Sequence, residues 1–147
     1  MAGATIDETA RLIRELADIE AIKQLKARYI RLVDGKKWDE WRALFTPDCR
    51  VETEGGVHEG PDDVVASVSR VLAKGTTMHR VTMPEITITG PDSATAIWGQ
   101  QDIVEMEYKG QPHKFSGWGY YYEEYRRTPE GWRIKSTRLE RLGKHFA

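Results

Sequence analysis

The chain has 147 residues, the usual size of one domain, and its 39% hydrophobic and 31% charged residues are the balance of a globular protein rather than a disordered one. Twenty-two Lys and Arg against 23 Asp and Glu leave a net charge of -1 with no basic block, which excludes the footprint of a nucleic-acid binder. Apolar runs fall far short of the about 20 residues that cross a membrane. The lone Cys49 excludes an intramolecular disulfide and a cysteine zinc site. The opening Met1-Ala2-Gly3-Ala4-Thr5 lacks the layout of a secretory leader, so the expected location is cytoplasmic.

Residues 7 to 34 read as a helix. Ile13, Leu16, Ile19, Ile22, Leu25, Tyr29 and Leu32 recur at steps of three or four. Glu15, Asp18, Glu20, Lys23, Lys26, Arg28 and Arg31 form a solvated face between them. Asp7 or Thr9 is the expected N-cap, and Gly35 suits the residue just past the end. A short second helix is expected over Trp38 to Phe45, broken by Thr46-Pro47-Asp48. Residues 49 to 54 read as a strand, followed by a Gly55-Gly56 turn. Pro61-Asp62-Asp63 opens a helix through about Ala73, since proline and acids both suit a first turn.

The remainder reads as β. Thr76 to Thr89, Ala94 to Tyr108, Lys114 to Arg127 and Trp132 to about Leu142 are strands divided by Gly/Pro/Asp turns. Helices followed by antiparallel strands predict an α+β fold with helices on one face of a sheet, in a single domain over 1–147. Gly99, Gly117 and Gly119 lie inside long strands and predict a strongly bent sheet. A bent sheet closed by a helix makes a cone-shaped α+β barrel with a mouth. The five Trp, six Tyr and three Phe gather in Trp38 to Phe45 and in the second half of the chain. They either fill the core or line an apolar pocket.

Five residues are candidates for chemistry. Asp34 ends the long helix, where the macrodipole disfavours a negative charge. The dipole and burial would both raise its pKa, as suits a general base; the plainer alternative is an exposed acid beside Lys36 or Lys37. His79 shares a strand face with Thr77, Val81 and Met83, and is either a proton carrier or a hydrogen-bonded core histidine. Asp102 sits on a mostly apolar strand face and needs a partner. Arg138, on a face with Trp132, Ile134 and Ser136, is either that partner or an anion clamp. Tyr29 precedes Asp34 by about 140° of helical turn, and is a site residue or plain core. His58, His113 and His145 read as exposed. Phosphate-loop, Gly-x-Ser-x-Gly and His-x-x-x-His motifs are all missing from the sequence, so no cofactor and no metal is expected.

An ordered set of fragments resembles the SnoaL-like branch of the nuclear transport factor 2-like superfamily. It runs from Asp18-Ile19-Glu20-Ala21-Ile22-Lys23-Gln24-Leu25 through Arg28-Tyr29 and Asp34 to Trp38, Leu44-Phe45-Thr46, Asp48-Cys49, Met78-His79, Pro84-Glu85-Ile86 and Gly131-Trp132-Arg133-Ile134. The resemblance covers nearly the whole chain. Its eliminating members include scytalone dehydratase, bile acid 7α-dehydratase and the lindane dehydrochlorinase. They imply an Asp–His dyad at Asp34 and His79, with Tyr29, Asp102 and an arginine on the last strand. That arginine is Arg138, or Arg141 if the strand register shifts. The implied function is a cofactor-free dehydratase-like lyase, or an isomerase, acting on a small, mostly apolar cyclic molecule. The alternative is a non-catalytic ligand-binding or oligomeric scaffold module of the same fold. The resemblance also implies a homodimer or homotrimer, with the aromatic side of residues 115 to 122 as a candidate interface.

Overall fold

A computed structural model describes residue 3 and residues 5–147. Met1, Ala2 and Ala4, part of the segment read for a leader, lie outside the described residues. Helix α1 (Ile6–Asp34) is capped by Thr5, whose hydroxyl accepts the Glu8 N–H at 3.1 Å, ahead of both expected caps, Asp7 and Thr9. Only the second half of its apolar stripe is covered: Ile22, Leu25, Tyr29, Leu32 and Val33 are buried, whereas Ile6, Ile13 and Leu16 are exposed. Asp18 ties the helix to the sheet, accepting from Arg127 at 2.7 Å and from the Trp132 indole at 3.0 Å. At the C-terminus the Gly35 N–H returns to the Arg31 carbonyl at 3.0 Å, and Lys36 takes the left-handed turn at φ 56°.

Helix α2 (Trp38–Arg42) is shorter than expected, because β1 (Phe45–Thr53) begins at Phe45 and runs through Pro47. Proline is tolerated there because the pairing of β1 with the last strand is interrupted between Phe45 and Arg50. The Gly55-Gly56 turn leads into a short strand that periodicity had not indicated, β2 (Gly56–Glu59), paired antiparallel to β1. Helix α3 (Pro61–Leu72) follows, then β3 (Thr76–Gly90), β4 (Ser93–Tyr108), β5 (Gln111–Thr128) and β6 (Gly131–Phe146).

The six strands form one sheet in the order β2-β1-β6-β5-β4-β3, parallel only at β1/β6. Both β1 and β3 contribute to one cavity although they stand far apart in the strand order, so the sheet is curled around it. No pairing joins β2 to β3, so the curl is not closed. The helices cover its inner side, with Trp41 tilted against Tyr29 and edge-on to Phe45 (ring centroids 5.3 Å and 5.0 Å apart).

Strand β6 carries two bulges that decide what enters the cavity. Tyr125 pairs with Ile134 and Glu124 with Ser136, which leaves Lys135 without a partner; Gly119 pairs with Arg141 and Trp118 with Gly143, which leaves out Leu142. Each extra residue reverses the alternation of faces. Trp132 and Ile134 point inward before the first bulge, and Thr137, Leu139 and Arg141 line the cavity after it. Gly119 permits the second bulge, since a Cβ there would lie 2.0 Å from the Glu140 carbonyl oxygen.

Candidate active site

The end of α1 and the start of β3 meet at Asp34. Its Oδ1 lies 2.6 Å from His79 Nδ1 and accepts the Thr77 hydroxyl at 2.8 Å, while its Oδ2 accepts the His79 backbone N–H at 2.9 Å. Lys36 donates to the Thr77 hydroxyl at 2.8 Å, which completes a chain of donors converging on the carboxylate. Burial pushes the Asp34 carboxyl up, but hydrogen bonds from the His79 ring, the His79 N–H and Thr77 outweigh it and hold the group below its ordinary value. The raised pKa expected from the helix dipole and burial is therefore corrected: the donors were invisible in the sequence. Asp34 is a carboxylate held ionised behind His79, suited to orienting the ring rather than to taking a proton itself.

His79 lines a cavity of about 480 Å³ together with Tyr29, Trp41, Asp102, Tyr121 and Arg141. Asp34 stands outside this lining, so His79 bridges the helical offset between Tyr29 and Asp34. Met83, expected on the His79 face, is exposed because β3 bulges after Thr82. His58 is partly buried against Asp63 at 3.2 Å, and neither it nor His113 nor His145 reaches the cavity.

Asp102 is buried and paired, and its partner is Arg141. Two hydrogen bonds of 2.8 Å and 2.9 Å form a fork between them. Arg138 is turned to the outer face of the sheet, stacked on Tyr122 at 4.4 Å and ion-paired with Glu140 at 3.5 Å. The sequence placed Arg138 inward by unbroken alternation; the Lys135 bulge reverses it, and Arg141 occupies the inner position.

Under the floor of the cavity lies a second polar cluster. Lys26, read with the solvated face, is fully buried and ion-paired with Glu123. Glu123 also accepts from the Tyr125 and Thr137 hydroxyls, and Tyr125 in turn accepts the Trp98 indole N–H at 2.9 Å. The Lys26 ammonium lies 4.1 Å from the centroid of the Tyr29 ring and 4.0 Å from that of Tyr121. Burial, and then the neighbouring acidic groups, push both phenols above the usual tyrosine range, so they stand as neutral donors. Tyr121, Glu123 and Thr77 were missed as site residues. Lys26 had a signal: it falls four residues after Ile22 and three before Tyr29, on the buried stripe.

The family model described as a SnoaL-like domain matches residues 14–138. "Probable cyclase FGR4" of Gibberella zeae is 28% identical over 134 residues, covering 82% of this chain and 89% of that protein. Among solved structures, a hexachlorocyclohexane dehydrochlorinase (LinA type 2) superposes with a TM-score of 0.82 at 18% identity, covering 92% of each chain. A candidate scytalone dehydratase from Novosphingobium aromaticivorans gives 0.80 at 18% identity, over 90% of this chain and 89% of the other. An NTF2-like protein with a cystatin-like fold from the same organism gives 0.74 at 23%, over 96% and 92%. With helices first, a curled mixed sheet after them and a family match over most of its length, the chain belongs to the SnoaL-like domain family and has the NTF2-like fold.

Proposed function

We propose that the protein is a cofactor-free lyase of the dehydratase kind, or an isomerase, acting on a small, mostly apolar cyclic substrate through Asp34 and His79. One observation carries this reading: the 2.6 Å contact of Asp34 Oδ1 with His79 Nδ1, in a histidine that also lines the cavity. A carboxylate that accepts the Nδ1 proton fixes the tautomer and leaves Nε2 bare. Nε2 then takes a proton from a substrate carbon, and Asp34 stabilises the imidazolium that forms. Tyr29 and Tyr121 donate to the carbonyl or leaving oxygen. The Arg141–Asp102 pair orients the substrate, the role that sequence reasoning gave to Arg138. Cyclisation, the activity in the name of the Gibberella relative, draws on the same proton transfers. The cytoplasmic location expected from the sequence stays part of the proposal; among the described residues no helix is long and apolar enough to cross a membrane.

The test is solvent deuterium exchange into a panel of cyclic ketones and β-hydroxyketones, followed by NMR. Exchange or elimination is expected with the wild type, and a loss of about 10²- to 10⁴-fold in H79A and in D34N. Compounds that bind without exchange in any variant would replace this reading with a ligand-binding module.

We propose also that the protein is a homodimer or homotrimer through the outer sheet face. Trp118, Tyr120 and Leu142 are exposed together there, around a shallow depression. Light scattering is expected to give two or three times the chain mass; the mass of one chain would overturn it.

A further inference from the structure

The charges that line the cavity form a closed set. Arg141 gives both terminal nitrogens to Asp102, and its Nε lies 2.9 Å from Glu54 Oε2 as an ion-pair contact whose N–H is not aimed at the carboxylate. The same Glu54 oxygen receives Lys144 Nζ at 2.9 Å. Lys144 rests against the Phe115 ring, 4.3 Å from its centroid, so its ammonium is held at the cavity wall. The remaining lining carboxylate, Glu52, is bound by Arg50 at 3.1 Å. Each lining cation is therefore already matched by a carboxylate.

Glu54 is the member of the set that stands apart. Asp102 and Arg141 are held deep between strands, whereas Glu54 sits on the turn between β1 and β2, with about half of its side chain exposed. It reaches across from that turn to β6 and holds two cations at once. Without it, among the described residues, Lys144 has no carboxylate and Arg141 keeps only Asp102.

We infer that Glu54 is a specificity-determining residue: by occupying Arg141 and Lys144 it closes the cavity to carboxylate- or phosphate-bearing ligands and reserves it for neutral ones. This rests on the proposal that the cavity takes a small apolar ring. An anionic ligand has to displace a tethered carboxylate and then sit beside Asp102 and Glu54. A neutral ring meets Val104, Met106, Leu139 and Phe115 and leaves the ion pairs intact.

A matched pair of ligands tests this. 2-Naphthol and 2-naphthoate share a ring system and differ in charge at neutral pH. Isothermal titration is expected to show the wild type binding naphthol and discriminating against naphthoate. In E54Q, naphthoate affinity rises about tenfold, the worth of one charge-assisted hydrogen bond gained, while naphthol affinity stays the same. The naphthoate gain shrinks as salt is added. If naphthol binds and the naphthol-to-naphthoate ratio is the same in both proteins, the assignment of Glu54 is wrong and the apolar-ring reading stands. If neither ligand binds either protein, both fail.

Discussion

Arg141 on β6 and Asp102 on β4 join across the intervening strand, and they do so through the space that a side chain at Gly117 would fill. A Cβ on Gly117 would lie 1.8 Å from Arg141 Nη1 and 2.7 Å from Asp102 Oδ1. The glycine that the sequence offered as a bend is here a window for an ion pair. G117A is expected to displace the guanidinium and to destabilise the fold by about 1–3 kcal/mol, the range for overpacking. Urea unfolding checks the stability. In a panel of variants, G117A should also lower activity on any substrate in parallel with R141M, whereas R138M should leave it near wild type.

Lys26 and Glu123 have side chains with no exposed surface. Burial pulls the Lys26 ammonium down and the Glu123 carboxylate pushes it back up, with a net lowering. Removing one partner strands the other, so K26M is expected to cost about 3–5 kcal/mol. E123Q keeps acceptors for Tyr125 and Thr137 but loses the charge. The double variant K26M/E123Q is expected to cost less than the sum of the two singles. A double-mutant cycle in urea measures this; strict additivity would mean that the pair is not coupled.

Much of this was legible in the sequence. Helix α1, the four long strands and the turn glycines follow from periodicity and breakers, and Asp34 and His79 stand out by residue type, position and resemblance. What was not legible depends on single inserted residues and on distant partners. Nothing local marks Lys135 or Leu142 as bulges, yet the one at Lys135 decides that Arg141, and not Arg138, meets Asp102. The lowering of Asp34 likewise needs the Thr77 and His79 donors from a strand more than 40 positions away. Lys26 was the avoidable miss, since its position on the buried stripe was readable.

Asp34 links stability to pH. Its folded carboxyl is held below the ordinary aspartate value of about 3.9. In the window below that value the unfolded chain binds more protons than the folded one, so stability rises with pH and is lost as pH falls through the folded value. Urea midpoints taken from about pH 5 to about pH 3 should fall more steeply for the wild type than for D34N. Parallel curves would mean that the hydrogen bonds do not hold the carboxylate.

Cys49 is fully buried on β1, and burial pushes its thiol up to about 11. A thiol that is neither exposed nor ionised is inert. Labelling by a disulfide reagent at neutral pH should proceed only as fast as the protein opens, and should become rapid in denaturant. Immediate stoichiometric labelling of the native protein would contradict the packing of β1 against α3.

The tautomer of His79 is the most direct test of the proposed chemistry, because it requires no knowledge of the substrate. Long-range ¹H–¹⁵N correlation at a pH where the ring is neutral assigns the proton to one nitrogen. The account predicts a proton on Nδ1, directed at Asp34, and a bare Nε2 open to the cavity, with that preference lost in D34N. A proton on Nε2 with Nδ1 bare would contradict it, since the ring would then have no base to offer a substrate carbon.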